Sequence, residues 1–158
     1  MRSLPDTDIQ IIRAGVAHVD QIAPLFHAYR EEYAQNDDLS STRAFIEERL
    51  QKNESVIFLA VDRSNDKPVG FTQLYPIFSS AKMKRKWLLN DLLVVPDYRR
   101  NGVGRLLMLR AIEFARESNS SGLILSTTIE NYAAQRLYQS LGFTRDQAFY
   151  HYFLNVVG

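Results

Sequence analysis

An apolar run through Val94 and Val95 breaks at Pro96, passes through Arg99, Arg100, Asn101, Gly102, Val103, Gly104 and Arg105, and becomes helical at Leu106 and Leu107. Glycines at such a turn let the backbone approach a ligand closely and adopt conformations closed to other residues. The helix that follows aims its unpaired N–H groups and the positive end of its dipole at the same point. The chemistry available there is anion holding, and a phosphate or pyrophosphate is the natural guest.

The elements that position this turn follow from periodicity. Residues 9–13 suit a first strand, after which Val19, Ile22, Phe26, Tyr29 and Tyr33 recur at helical spacing, with Pro24 near the helix start. The polar segment 36–41 offers caps at Ser40 or Ser41 for a second helix, whose face is Phe45, Ile46 and Leu50 and whose end falls near Asn53. Residues 56–61 and 69–75 read as a hairpin around Asn65 and Asp66, residues 76–86 as a basic loop, and residues 87–95 as the longest strand, which feeds the glycine turn. Beyond it, Val103, Leu107, Ala111, Phe114 and Ala115 share one helical face. Residues 123–127 suit a strand, and Ala134, Leu137, Tyr138 and Leu141 a short helix that ends at Gly142, which suits a left-handed cap. Residues 149–156 read as the last strand. The order β, α, α, β, β, β, α, β, α, β predicts an α/β (α+β) fold, a mixed central sheet with helices on both faces, in a single domain over residues 1–158.

Composition narrows the function. A chain of 158 residues with 46% hydrophobic and 11% aromatic content supports one sizeable core. Its 19 basic and 18 acidic residues leave a net charge of +1, so no global field recruits nucleic acid or an anionic membrane. Without cysteine there is no disulfide, thiolate metal site or cysteine nucleophile, and His18, His27 and His151 lack ligand spacing, so no metal is expected. No apolar run precedes a small-residue cleavage site at the amino terminus, and no segment approaches the roughly 20 apolar residues of a membrane span. A cytoplasmic setting is the expectation. A Walker loop needs a lysine where Arg105 stands, and a dinucleotide fingerprint needs a third glycine.

Joined to Asn131-Tyr132-Ala133-Ala134-Gln135-Arg136-Leu137-Tyr138-Gln139-Ser140-Leu141-Gly142-Phe143, the pattern Arg99-x-x-Gly102-x-Gly104 resembles the GNAT superfamily of acetyl-CoA-dependent N-acetyltransferases. The resemblance spans nearly the whole chain. Within the superfamily, Leu89-Asn90-Asp91-Leu92-Leu93-Val94 looks like the central strand of the branch that acetylates polyamines, thialysine and small amines. The resemblance implies acetyl-CoA as co-substrate, a small-molecule amine as acceptor, and a homodimer. It implies that the backbone of Leu92, Leu93 and Val94 pairs with the pantetheine arm like an added strand, in a gap that a bulge near Asn90 and Asp91 opens toward the next strand. Arg99, Arg100, Asn101, Gly102, Val103, Gly104 and Arg105 would hold the pyrophosphate through amides and charge-assisted contacts. Asn131, with Ala134 beside it, would bind the pantetheine region, and Tyr138 would face the thioester sulfur. Asn131 is equally fit to be an N-cap, and Tyr138 lies on a stripe where an aromatic is usually core.

In this reading an amine attacks the thioester carbonyl directly, so the protein must hold both substrates, stabilise an oxyanion and protonate the leaving thiolate. A backbone N–H at Leu92 or Leu93 is the candidate oxyanion donor and the Tyr138 phenol the candidate general acid. A lysine-like amine, with a pKa of about 10.4, is charged at neutral pH, so a base must take its proton. The polyamine pattern has a glutamate where Asn90 stands, and Asn90 accepts no proton. Asp91 is adjacent, on the opposite face of a regular strand unless the bulge re-aims it. The base therefore stays unassigned. Glu31, Glu32, Asp37 and Asp38 suit a wall for a cationic acceptor or a solvated polar loop, and Tyr29, Tyr33 and Tyr75 suit the same cleft or the core. The alternatives are a protein or peptide acetyltransferase acting on a lysine or N-terminus, and a non-catalytic module that binds acetyl-CoA. The aromatic run 149–154 exceeds the needs of a one-sided edge strand, and pairing with a second copy would explain it.

Overall fold

The β-branched and aromatic run after Ser55 forms a strand buried on both faces, as an interior strand requires. The computed structural model describes residues 8–158, which divide into two compact units, one up to Ser126 and the other Thr127–Gly158. In the first, β1 (Ile9–Ala14), β2 (Val56–Asp62), β3 (Lys67–Ser79), β4 (Lys84–Val94) and β5 (Leu123–Ile124) lie side by side in chain order. The first three junctions are antiparallel and β4–β5 is parallel, which makes the sheet mixed.

Helices cover both faces. On one lie α1 (Val19–Glu32) and α2 (Leu39–Gln51), whose Ile22, Leu25, Phe26, Ile46 and Leu50 pack on Ile57, Leu59, Phe71 and Leu93. On the other lies α3 (Val103–Glu117), where the Phe114 ring meets those of Phe58 at 5.7 Å and Trp87 at 4.9 Å. Trp87 Nε1 donates to Ser118 Oγ at 2.9 Å, so the indole is satisfied as well as buried.

The helix ends are set locally. Asp38, rather than Ser40 or Ser41, caps α2: its carboxylate accepts the Ser41 amide at 2.8 Å and the Ser40 hydroxyl at 3.1 Å. The helix closes at Asn53 (φ 52°), where the amides of Asn53 and Glu54 return to the carbonyls of Leu50 and Arg49, a Schellman motif. Pro24 is the sixth residue of α1, so it withholds one amide from the exposed Asp20 carbonyl.

Several extended segments differ from the sequence expectation: residues 84–86 already belong to β4, and the strand expected over 123–127 is only Leu123–Ile124, the two residues that pair with β4. Residues 76–79 are not loop but strand, with Pro76 opposite Trp87 and Ser79 opposite Lys84. Arg85 holds this end of the hairpin together by lying 5.5 Å from the Phe78 ring and 5.4 Å from that of Trp87. Residues 149–156 form no strand. No ladder partner takes up their backbone groups among the described residues, and Tyr152 and Phe153 are 92% and 91% exposed.

The second unit contains α4 (Tyr132–Ser140). Asn131 caps it, accepting the Ala134 amide at 3.1 Å, and Gly142 (φ 95°) ends it as expected, with the Phe143 amide returning to the Tyr138 carbonyl at 3.0 Å. The rings of Tyr138 and Phe143 lie 6.0 Å apart.

Candidate functional site

β4 carries one residue more than β3 opposite it: Gln73 faces Asp91, Leu74 faces Leu89, and Asn90 is the extra residue of a bulge. The bulge reverses the alternation of the strand. Before it, Trp87 points to the α3 face; after it, Asp91 and Leu93 share the α1/α2 face with their register partners Gln73 and Phe71. β5 pairs with β4 only at Trp87 and Leu88, so within this unit Leu92, Leu93 and Val94 lie on a segment that β5 leaves open. An open strand edge is what an extended ligand arm requires.

The turn after β4 is braced from below. Tyr98, in the short 3₁₀ turn Pro96–Tyr98, donates to Asp62 Oδ2 at 2.7 Å and fixes the turn to the β2–β3 hairpin. Hydrogen bonds from Ser64, then from Tyr98, hold the Asp62 carboxyl below the usual carboxylate range. Arg100 (φ 64°) and Gly102 (φ 82°) are both left-handed, and left-handed residues in a turn gather amides into concave anion sites. Asn101 Nδ2 donates to the Arg99 carbonyl at 2.7 Å, Val103 is buried, and Arg100 and Arg105 are exposed. Gly102 is the N-cap of α3, whose first turn holds no acidic residue and no capping side chain among the described residues.

The glycines test whether this cradle fits a diphosphate. A Cβ on Gly104 would meet only Val94 Cγ2, at an ordinary 3.8 Å, and one on Gly102 would meet nothing within 4 Å among the described residues. A helical glycine costs about 1 kcal/mol relative to alanine. Packing asks for no glycine at position 104; a ligand approaching the backbone does. The residues fit a pyrophosphate.

Arg99 is held within the fold. Its Nε donates to the Val94 carbonyl at 2.7 Å and its Nη2 to Glu32 Oε1 at 2.9 Å, which ties the end of α1 to the end of β4. This pair borders a groove of about 360 Å³ floored by Leu93 and Val95. The acidic wall is partnered too: Glu31 with His27, Asp37 with Arg30, and Asp38 with the start of α2.

Asp91 is where sequence reasoning stopped short. The bulge does re-aim it: it is 2% exposed, and its oxygens accept Gln73 Nε2 at 2.5 Å and Asn90 Nδ2 at 2.9 Å. Tyr29 reaches the same place, donating to the Asn90 carbonyl at 3.2 Å. Burial pushes the Asp91 carboxyl upward against the opposing hydrogen bonds. Burial and then the Asp91 charge push the phenols of Tyr29 and Tyr75 upward as well. Gln73, which sequence reasoning missed, carries no signal along the chain; only the register of β3 on β4 brings it to Asp91. Asn131, Ala134 and Tyr138 lie in the second unit, where Asn131 has its capping role. Among the described residues no three His, Asp or Glu side chains gather as metal ligands, and no helix is long and apolar enough to cross a membrane.

Comparison with known proteins agrees with this geometry. The family model described as "Acetyltransferase (GNAT) family" matches residues 22–143. The chain is 44% identical over 148 residues to a Bacillus subtilis (strain 168) protein named "Uncharacterized N-acetyltransferase YhfO", covering 94% of this chain and 98% of that one. It is 31% identical over 125 residues to a "Probable acetyltransferase" of Haemophilus influenzae (strain ATCC 51907 / DSM 11121 / KW20 / Rd), covering 79% and 85%. A solved structure described as "a probable acetyltransferase" superposes with a TM-score of 0.89 at 42% identity, covering 94% of this chain and 99% of that one. A mixed five-stranded sheet, a bulged and open β4, and a glycine turn at the head of α3 thus accompany close relatives of one kind, and the chain belongs to the GNAT family and is an acetyltransferase.

Proposed function

We propose that the protein moves an acetyl group from acetyl-CoA to a primary amine of a small molecule, with both substrates held in one complex. The observation that carries the cofactor is Gly104, a glycine that packing does not need, in the first turn of a helix with no capping side chain among the described residues. Acetyl-CoA supplies the thioester carbonyl that the amine attacks. The amides of residues 100–105 hold its diphosphate, and the open backbone of Leu92, Leu93 and Val94 pairs with its arm. The N–H of Leu92 or Leu93 donates to the carbonyl oxygen as negative charge develops there, Asn131 and Ala134 add binding, and the Tyr138 phenol protonates the departing sulfur. The groove beside Leu93 has the size of a small-molecule site. Its rim carries Glu31 and Glu32, partnered by His27 and Arg99.

The test is release of free CoA thiol with a panel of polyamines, lysine analogues and lysine-bearing peptides. Turnover with small amines above that with peptides is expected; a silent panel overturns the reading. The exposed aromatic run 149–154 is assigned to contact with a second copy, and sedimentation at the mass of two chains is the expected result.

A further inference from the structure

On the α1/α2 face, where the bulge turns β4, one buried oxygen lacks a donor. Gln73 is fully buried and its Nε2 is committed to Asp91, which leaves its Oε1 without a hydrogen bond among the described residues. Flipping the amide brings no relief, because two acceptors would then face each other. The Asp91 carboxylate beside it is buried with its charge, a second cost of the same place. One arrival offsets both: a cation with several N–H donors, such as a primary ammonium.

We propose that Gln73 Oε1 and the Asp91 carboxylate receive the acceptor as its ammonium and that Asp91 then takes its proton, which makes Asp91 the base of the reaction. The inference rests on the amine-acceptor reading above. One N–H bond breaks and one O–H bond forms: R–NH3+ and the carboxylate become R–NH2 and the carboxylic acid, and the electron pair stays on nitrogen for the attack. The nitrogen sheds a second proton as the amide forms, which balances the proton that the leaving sulfur takes up. Asp91 returns its own to water past the Tyr29 hydroxyl, which lies on the exposed side of the cluster. The titratable groups facing Asp91 are the phenols of Tyr29 from α1 and Tyr75 from β3, with Tyr33, just past α1, acting on Tyr29 and Arg49 of α2 acting on Tyr75. Tyr29 and Tyr75, both pushed upward, do not compete as bases near neutral pH.

The test is Asp91→Asn, with the fastest amine of the panel and with hydroxylamine, which is already neutral at pH 7. The substitution removes the buried carboxylate charge while keeping the side chain's size. A carboxyl raised in the folded state binds its proton more tightly there, so wild-type stability falls as pH rises from about 3.9 through the raised value. The variant escapes that loss. Its unfolding midpoint at pH 8 is expected above that of wild type, its kcat/KM for the amine at least about 100-fold lower, the acidic limb of the pH profile gone, and its rate with hydroxylamine largely kept. Undiminished turnover of the amine, equal losses for both nucleophiles with the pH profile unmoved, or a lower midpoint at pH 8 would each overturn the proposal. A wild type silent toward every amine sinks the amine reading instead, a different result.

Discussion

The glycine turn and the Asp91 cluster both belong to the β4 region, yet they are assembled in opposite ways. The turn is one continuous run, residues 99–105, exposed apart from Val103 and the half-buried Gly104, and its working groups are backbone amides. The cluster draws Tyr29, Gln73, Tyr75 and Asp91 from three elements and buries Gln73 and Asp91. A backbone site needs only contiguity and the right conformations, so it is proposed for the ligand a whole family shares. A side-chain site needs a fold to bring distant residues together, and each buried polar atom there must be matched by its guest, which is why acceptor choice is proposed there. Both carry a cost to stability that packing does not repay, a glycine in one and a charge with an orphan oxygen in the other.

That contrast can be broken from either side. Changing Gly102 attacks the backbone site most heavily: Gly102→Glu has room within the protein but a left-handed φ, so the fold loses about 1–2 kcal/mol. Thermal stabilisation by acetyl-CoA should vanish through bulk and like charge; if it survives, the diphosphate does not sit on this turn. Next in size, Tyr138→Phe should lower turnover at least about tenfold with acetyl-CoA affinity near wild type, as loss of a general acid requires. Unchanged turnover removes Tyr138 from that role. The smallest and most discriminating effect is that of Gly104→Ala, which should raise the stability of the free protein by about 0.5–1 kcal/mol while weakening acetyl-CoA binding. A variant no more stable than wild type in denaturant titration would mean that the fold itself uses this glycine.

The same division explains what could be read along the chain. Helices appear in sequence because their periodicity and ends are local: Gly142 was expected as a left-handed cap and is one. The cap of α2 was legible only to within two or three residues, because Asp38, Ser40 and Ser41 are all good caps and one carboxylate outcompetes two hydroxyls. Extended segments were harder. Residues 76–79 look like a loop because Pro76 and the lysines after it obscure the alternation that Arg85, stacked between Phe78 and Trp87, makes stable. Residues 149–156 look like a strand because aromatics favour extended backbone, but a strand exists only where a neighbour accepts its hydrogen bonds.

By itself, then, the sequence determined the turn: Arg99, Gly102 and Gly104 at fixed spacing between strand and helix set left-handed backbone ahead of the first turn of α3, because a turn is written by neighbours along the chain. Tertiary structure decided the rest of the chemistry. It paired Arg99 with Glu32, turned Asp91 inward at the Asn90 bulge and set Gln73 beside it, since strand register and burial, not adjacency in sequence, determine which side chains meet.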